Sequence, residues 1–207
     1  MNKKTEIPEY QKYRWFFTTN GKLVIGGKNA KQNELLVKEM IKTKKGYIVM
    51  HTEKPGSPFT FLYDENEGVS EEDLEEQAIF TASFSQEWKN LRRKENKEKK
   101  SEIGIFNSEQ IIKKRGMKEG TFGIIGKVIT RKVKTELWIE EQEGVIRAVP
   151  KKSKDNKIDI KITPGTMSKE EATKEIITLL KEKGINKDKA EVMQGIPAGG
   201  MNIETNV

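Results

Sequence analysis

Apolar residues change their period several times along the chain, and each change marks an element. Residues 14–19, Arg14-Trp15-Phe16-Phe17-Thr18-Thr19, form a dense aromatic and β-branched run, and Leu23-Val24-Ile25 follows directly after Asn20-Gly21. Two strand-like runs around Asn-Gly predict a β-hairpin with a type I′ turn. Alternation along a strand then places Trp15 and Phe17 on one face and Arg14 and Phe16 on the other. Gly26-Gly27 closes the second strand, and Asn29 is placed to cap a helix over 30 to about 41. In that helix Leu36, Val37, Met40 and Ile41 fall on one stripe, with Lys31, Glu34 and Lys38 expected to face out. Residues 47–50 read as a strand, Pro55-Gly56-Ser57-Pro58 as a loop, and 59–63 as another strand.

The second half continues this mixture. Ser70, followed by Glu71, Glu72 and Asp73, predicts a helix start whose acidic first turn suits the helix dipole. Its apolar positions Leu74, Ala78, Ile79 and Ala82 extend the helix to Trp88 and into Arg92-Arg93-Lys94 and the lysines at 97–100. Strands are expected at 103–106, 121–130, 136–140 and 145–149, with Gly144 turning between the last two. A polar connector over 151–157 precedes an alternating strand at 158–162. Ser168 and Glu171 match a capping box for a helix that Gly184 ends, and 195–200 reads as loop. The pattern predicts an α+β fold: a mixed or antiparallel sheet body with packed helices, plus a small C-terminal strand–helix unit. The expected division is a polar lead-in at 1–12, a body at 13–150 and the C-terminal unit at 151–207.

Composition narrows the chemistry. Hydrophobic and charged residues each make up 34% of the 207, so a modest core sits under a heavily charged surface. There is no cysteine, which excludes disulfides, iron–sulfur clusters and cysteine nucleophiles, and a single histidine excludes histidine-pair metal sites. No apolar run is long enough to span a membrane, and the expectation is a cytoplasmic protein without cofactor. The net charge of +7 is unevenly spread. Residues 1–64 carry 12 basic and 6 acidic side chains, 65–85 carry 7 acidic and no basic ones, and 86–134 carry 15 basic and 6 acidic. Two basic regions flanking an acidic stretch give a dipolar chain that attracts polyanions.

Four clusters could carry function. His51 ends a strand beside Pro55-Gly56-Ser57, yet no Gly-x-Ser-x-Gly elbow or other marked nucleophile accompanies it, so binding or structure is favoured over catalysis. Gly26-Gly27-Lys28 lies between strand and helix but lacks the phosphate-loop spacing of nucleotide hydrolases. Lys28 and Asn29 could still hold a backbone phosphate, and a tight turn would explain the same glycines. The Arg14–Phe17 rings could stack on bases, although core packing explains most of them. Lys113-Lys114-Arg115 and Lys127, Arg131, Lys132 and Lys134 are the sharpest basic clusters; Lys132 and Lys134 share a strand face, as a phosphate stripe or a lysine-blunted edge strand requires.

Longer stretches carry a resemblance. Tyr13 to Gly21, then Leu23-Val24-Ile25-Gly26-Gly27-Lys28-Asn29-Ala30, then Gln32-Asn33-Glu34, closely resemble the opening of the NFACT-R family. His51 with Pro55-Gly56-Ser57 looks like that family's His loop, and Ser83 to Trp88 its Ser-x-x-x-Trp helix. Gln110 with Lys113, and Gly120 to Lys127, are similar to its later motifs, with Lys28-Asn29 in place of Arg-Asp and Ile125 in place of an arginine. The likeness covers about residues 10–130. It implies the RNA-binding domain of ribosome-quality-control NFACT proteins, here as a solo form with a small C-terminal unit. The implied role is non-catalytic binding of structured RNA, tRNA or rRNA, beside a tRNA-modification enzyme (thiolation) or the ribosome. Arg14, Lys28, Asn29, His51, Lys113, Lys114, Lys127, Lys132 and Lys134 are the expected RNA contacts. The alternatives are a protein adaptor docking through the acidic helix at 71–76, and an RNA-processing enzyme using His51.

Overall fold

The computed structural model describes residues 9–63, 68–91 and 100–205. The basic run at 92–94 and 97–99 therefore lies outside the described residues, as does most of the polar lead-in. Strands β1 (Arg14–Phe17), β2 (Leu23–Gly26), β3 (Ile48–Thr52), β4 (Thr60–Tyr63), β5 (Lys100–Asn107) and β8 (Ile129–Lys134) form a six-stranded sheet. Its order is β1-β2-β4-β3-β5-β8, and each neighbouring pair is antiparallel. Helix α1 (Ala30–Lys42) covers one face and α2 (Glu71–Ser83) the other. Because both faces are covered, β2 and β4 are buried at every position. Trp15, Ile25, Val49 and Phe61 pack under α1 with Leu36, Val37 and Met40. Phe16, Val24 and Leu62 pack with Phe80 on the α2 side. Each such fully buried side chain contributes about 1.5–3 kcal/mol.

The expected hairpin forms with a different turn. Phe17 pairs with Leu23, Gly21 N–H donates to Thr18 O at 2.8 Å, and Thr18 N–H donates to Lys22 O at 2.8 Å. Gly21 has a φ of 77° while Asn20 is not among the positive-φ residues, so the turn is not type I′. The physical reason is α2: Asn20 Nδ2 reaches Ser70 Oγ and the Asp73 carboxylate, and Thr18 Oγ1 donates to Asp73 at 2.6 Å. Two further expectations are corrected. The helix after Ser70 breaks at Phe84-Ser85 and restarts as α3 (Gln86–Leu91), because the Ser85 hydroxyl accepts from Glu87 N–H and donates to Ala82 O. The strand over 121–130 is interrupted by Gly126, φ 79°, leaving β7 (Gly123–Ile124) paired with β6 (Ile111–Ile112) and then β8.

A second sheet has the order β10-β9-β11-β12, built from β9 (Leu137–Gln142), β10 (Val145–Val149), β11 (Ile160–Met167) and β12 (Met201–Thr205). Helices α4 (Lys169–Glu182) and α5 (Lys189–Gly195) pack on it around Ile139, Ile146, Ile160, Ile176 and Val192. The Ser168–Glu171 capping box forms as predicted, whereas α5 and β12 had no clear periodic signal. A division at residue 150 runs through this sheet, whose β9–β10 hairpin precedes that point. Two of the contacts that join the two halves are hydrogen-bonded ones. Gln142 uses both amide atoms on Phe17, accepting from its N–H at 2.8 Å and donating to its C=O at 2.9 Å, which closes the free edge of β1. Trp88 is fully buried in the second core and donates to Gly200 O at 2.9 Å.

Candidate nucleic-acid interface

At the end of the six-stranded sheet where β2 leads into α1, the two glycines let strand and helix approach closely. A Cβ on Gly27 would lie 2.6 Å from Asn33 N, inside the first turns of α1. Asn29 caps the helix by accepting from Gln32 N–H at 2.9 Å, as expected. Asn33 sits behind it and is buried, accepting from Phe59 N–H at 2.9 Å and donating to Gly120 O at 3.2 Å. Gly120, φ 74°, would place a Cβ 2.9 Å from Ala30 Cα. Strand end, helix start and the loop at 117–122 are thus packed backbone against backbone.

Glu34 is the residue the sequence reading misplaced. It does not face solvent but is buried, because its carboxylate is the anchor of that loop. It accepts from Gly120 N–H at 2.8 Å and from Lys113 Nζ at 2.7 Å, and pairs with Lys38 at 2.9 Å. Hydrogen bonds from Lys113 and then Lys38, with the Gly120 N–H, hold its pKa down at about 2 against the penalty of burial. Lys113 also donates to Lys118 O and Thr121 O, and its Nζ lies 4.7 Å from the centroid of the Phe122 ring. Its ammonium is thus engaged by partners of the protein itself, although the residue is exposed.

The loop so anchored forms one wall of a cleft of about 860 Å³. Arg14, Lys28, Asn29 and His51 line it together, with Phe59, Phe84 and Phe122 as apolar surface. His51 Nδ1 lies 2.6 Å from Thr52 O, and its ring packs 4.6 Å from that of Phe59. A carbonyl can only accept, so Nδ1 carries the proton and Nε2 is the acceptor of the neutral ring. Burial pushes the pKa of His51 down, which keeps it neutral at pH 7. The loop after it is fastened by Thr52 N–H to Ser57 Oγ at 2.9 Å and by Gln86 N–H to Gly56 O at 2.9 Å.

Arg14 is half-buried, its guanidinium 4.8 Å from the Phe84 ring centroid, and burial lowers its pKa. Lys28 is lowered first by burial and then by the charges of Arg14 and Arg147. Among the described residues no carboxylate forms an ion pair with either. The other predicted contacts lie outside the cleft. Lys114 and Lys127 are exposed on loops, and Lys132 and Lys134 are exposed on the edge strand β8. Arg147 and Lys169 had not been singled out, because their proximity to Arg14 arises only when the second sheet docks. The acidic helix is largely spent inside the fold: Asp73 and Glu76 are buried against Thr18, Thr19 and Asn20, while Glu71 pairs with Arg131 and Glu72 with Lys151. No helix among the described residues is long and apolar enough to cross a membrane.

Comparison with known proteins meets this geometry. An archaeal Rqc2 homolog, aRqcH of Methanocaldococcus jannaschii, is 31% identical over 94% of this chain and 29% of its own length. A ribosome quality control complex subunit NEMF homolog of Drosophila melanogaster is 32% identical over 38% of this chain and 8% of its own. The chain thus spans less than a third of the length of either relative. The structure of the C-terminal part of the fibronectin/fibrinogen-binding protein of Streptococcus suis shares the fold, with a TM-score of 0.50 and 24% identity over 65% of this chain and 49% of that one. The family model described as the NFACT protein RNA binding domain matches residues 12–126, which include β1 to β7 and every wall of the cleft except Val128, Thr130 and Ala198. The chain belongs to the NFACT-protein RNA-binding domain family.

Proposed function

We propose that the chain is a non-catalytic RNA-binding module whose principal contact is the cleft beside Gly26-Gly27. The observation that carries this reading is the half-buried Arg14 with the exposed Lys28 near it, both on a concave surface with aromatic walls and neither in an ion pair with a carboxylate among the described residues. Phosphates supply the missing countercharge. Phe84, Phe122 and the neutral His51 give a nucleobase stacking surface and a hydrogen-bond acceptor. A rigid duplex does not enter such a cleft, so the RNA presents an unpaired or splayed-out nucleotide there, as the loops of tRNA and rRNA do. The exposed lysines 114, 127, 132 and 134 extend the attraction outside the cleft. The likeness to an archaeal Rqc2 homolog and to a ribosome quality control complex subunit homolog favours ribosome quality control as the setting over tRNA modification such as thiolation.

The test is fluorescence anisotropy with a tRNA, an rRNA stem-loop and a DNA duplex across a salt series. Arg14→Gln with Lys28→Gln should lower the salt slope by about 2 and abolish the preference for unpaired RNA. Equal, salt-independent binding to all three nucleic acids would overturn the reading.

A further inference from the structure

Arg14 and Lys28 also line a second, small cavity of about 20 Å³, and there they meet residues from the other sheet. Arg147 on β10 and Trp15 on β1 share that lining with Phe84 and Gly195. The Arg147 guanidinium stacks over Trp15, its Cζ 4.2 Å from the ring centroid, and Nη1 donates to its own sheet at Ile146 O. Its Nε and the Trp15 Nε1 are both buried donors without an acceptor among the described residues. Lys169, at the start of α4, donates to Ile196 O at 3.2 Å and feels the charge of Arg14. Burial, and then Arg14, bring its pKa down to about 8, with Glu170 acting in the other direction. Arg14, Lys28 and Arg147 thus line one small cavity, and Lys169 lies beside it, bonded to the carbonyl of Ile196 next to the lining residue Gly195 and near enough to Arg14 to feel its charge. Buried donors without acceptors are costly unless a ligand or water completes them.

We propose that Arg14, Lys28, Arg147 and Lys169 form a site for one phosphate group of the bound RNA, assembled only when the C-terminal sheet is docked on the first. The inference rests on the RNA-binding reading above and adds the C-terminal unit to the binding surface. The small cavity is the size of a water, so the phosphate sits at its mouth, on the cleft side, where Arg14 and Lys28 line both spaces. An anion there relieves the mutual repulsion of the four charges and orders the seam between the sheets.

The experiment uses the full chain with two readouts. Inorganic phosphate is titrated while the Lys169 side chain is followed by NMR, and anisotropy is measured with an RNA oligonucleotide carrying either a 5′-phosphate or a 5′-hydroxyl. The expected result is a Lys169 pKa that rises on adding phosphate. RNA affinity should be weakened roughly fivefold by Arg147→Gln or Lys169→Gln, with a salt slope smaller by about 1. Lys169→Arg should restore it, which separates lost charge from damaged folding. Preference for the 5′-phosphate would assign the site to an RNA end, and indifference would assign it to a backbone phosphate. If both glutamine variants bind RNA as the parent does and phosphate leaves Lys169 unmoved, the site is wrong while the RNA-binding reading stands. If phosphate shifts Lys169 but no RNA binds, the RNA-binding reading fails and the anion site remains.

Discussion

Replacing Lys169 by methionine should make the free protein more stable while weakening its hold on RNA. The side chain is only partly exposed, and its pKa is brought from 10.5 to about 8 by burial and by Arg14. At about 1.36 kcal/mol per pKa unit this corresponds to roughly 3 kcal/mol of destabilisation by the charge, which screening at a partly exposed site reduces to about 1–2 kcal/mol. Methionine keeps the apolar stem and loses the bond to Ile196 O, worth about 1 kcal/mol or less. The net gain at pH 7 is then on the order of 1 kcal/mol. The sign with pH follows from linkage. Below about 8 both folded and unfolded chains carry the proton and the penalty is complete. Between 8 and 10.5 the unfolded chain binds more protons, so the parent becomes more stable as pH rises. Urea unfolding of parent and variant at pH 7 and pH 10.5 measures this: the advantage of Lys169→Met should be present at pH 7 and gone at pH 10.5. A variant less stable than the parent by the same amount at both values would refute the argument that the cation cluster is held together against repulsion.

Glu34→Gln should destabilise by about 1–2 kcal/mol, since it weakens the buried carboxylate's bonds to Gly120 N–H and to the partly exposed Lys113; thermal unfolding checks it. The stability that Glu34 contributes is complete above pH 4.5 and is lost as pH falls toward 2, so the parent's acid unfolding slope over that window should flatten in the variant. Gly27→Ala should cost more than 1 kcal/mol, because its Cβ meets helix backbone that cannot move aside without shifting Asn29 and Asn33; loss of RNA affinity together with a lower Tm would show it. With Lys169→Gln in place, which removes the lysine that titrates near 8, RNA affinity should stay level from pH 7 to 8, since burial pulls the His51 pKa below its ordinary value, and a tenfold change across that window would contradict the role of His51 as an acceptor.

What was readable in the chain was what local physics decides. The hairpin, the Asn29 and Ser70 caps and the Ser168 capping box are short-range patterns, and each forms. Arg14, Lys28, Asn29 and His51 were chosen from motifs flanking glycines and strand ends, and one cleft collects all four. Glu34 was misread because helical spacing sees only α1, while the loop that buries its carboxylate comes from almost ninety residues further on. Lys113 was read as a free cation for the same reason. Arg147 lies in a regular strand and Lys169 in a regular capping box, so neither carries a local sign of function. Their meaning comes from the docking of two sheets, which no periodicity encodes. The short strands β6 and β7 and the Gly126 break likewise depend on Gln110, whose side chain donates to Ile125 O and Lys127 O.

Ultraviolet crosslinking of the full chain to RNA, with the linked peptides identified by mass spectrometry, tests the central claim most directly. The account predicts crosslinks on the cleft walls, at Phe84, Phe122 and the His51 loop, and their loss when Arg14 and Lys28 are both changed to glutamine. Crosslinks confined to the exposed β8 edge around Lys132 and Lys134, unchanged in that double variant, would contradict it.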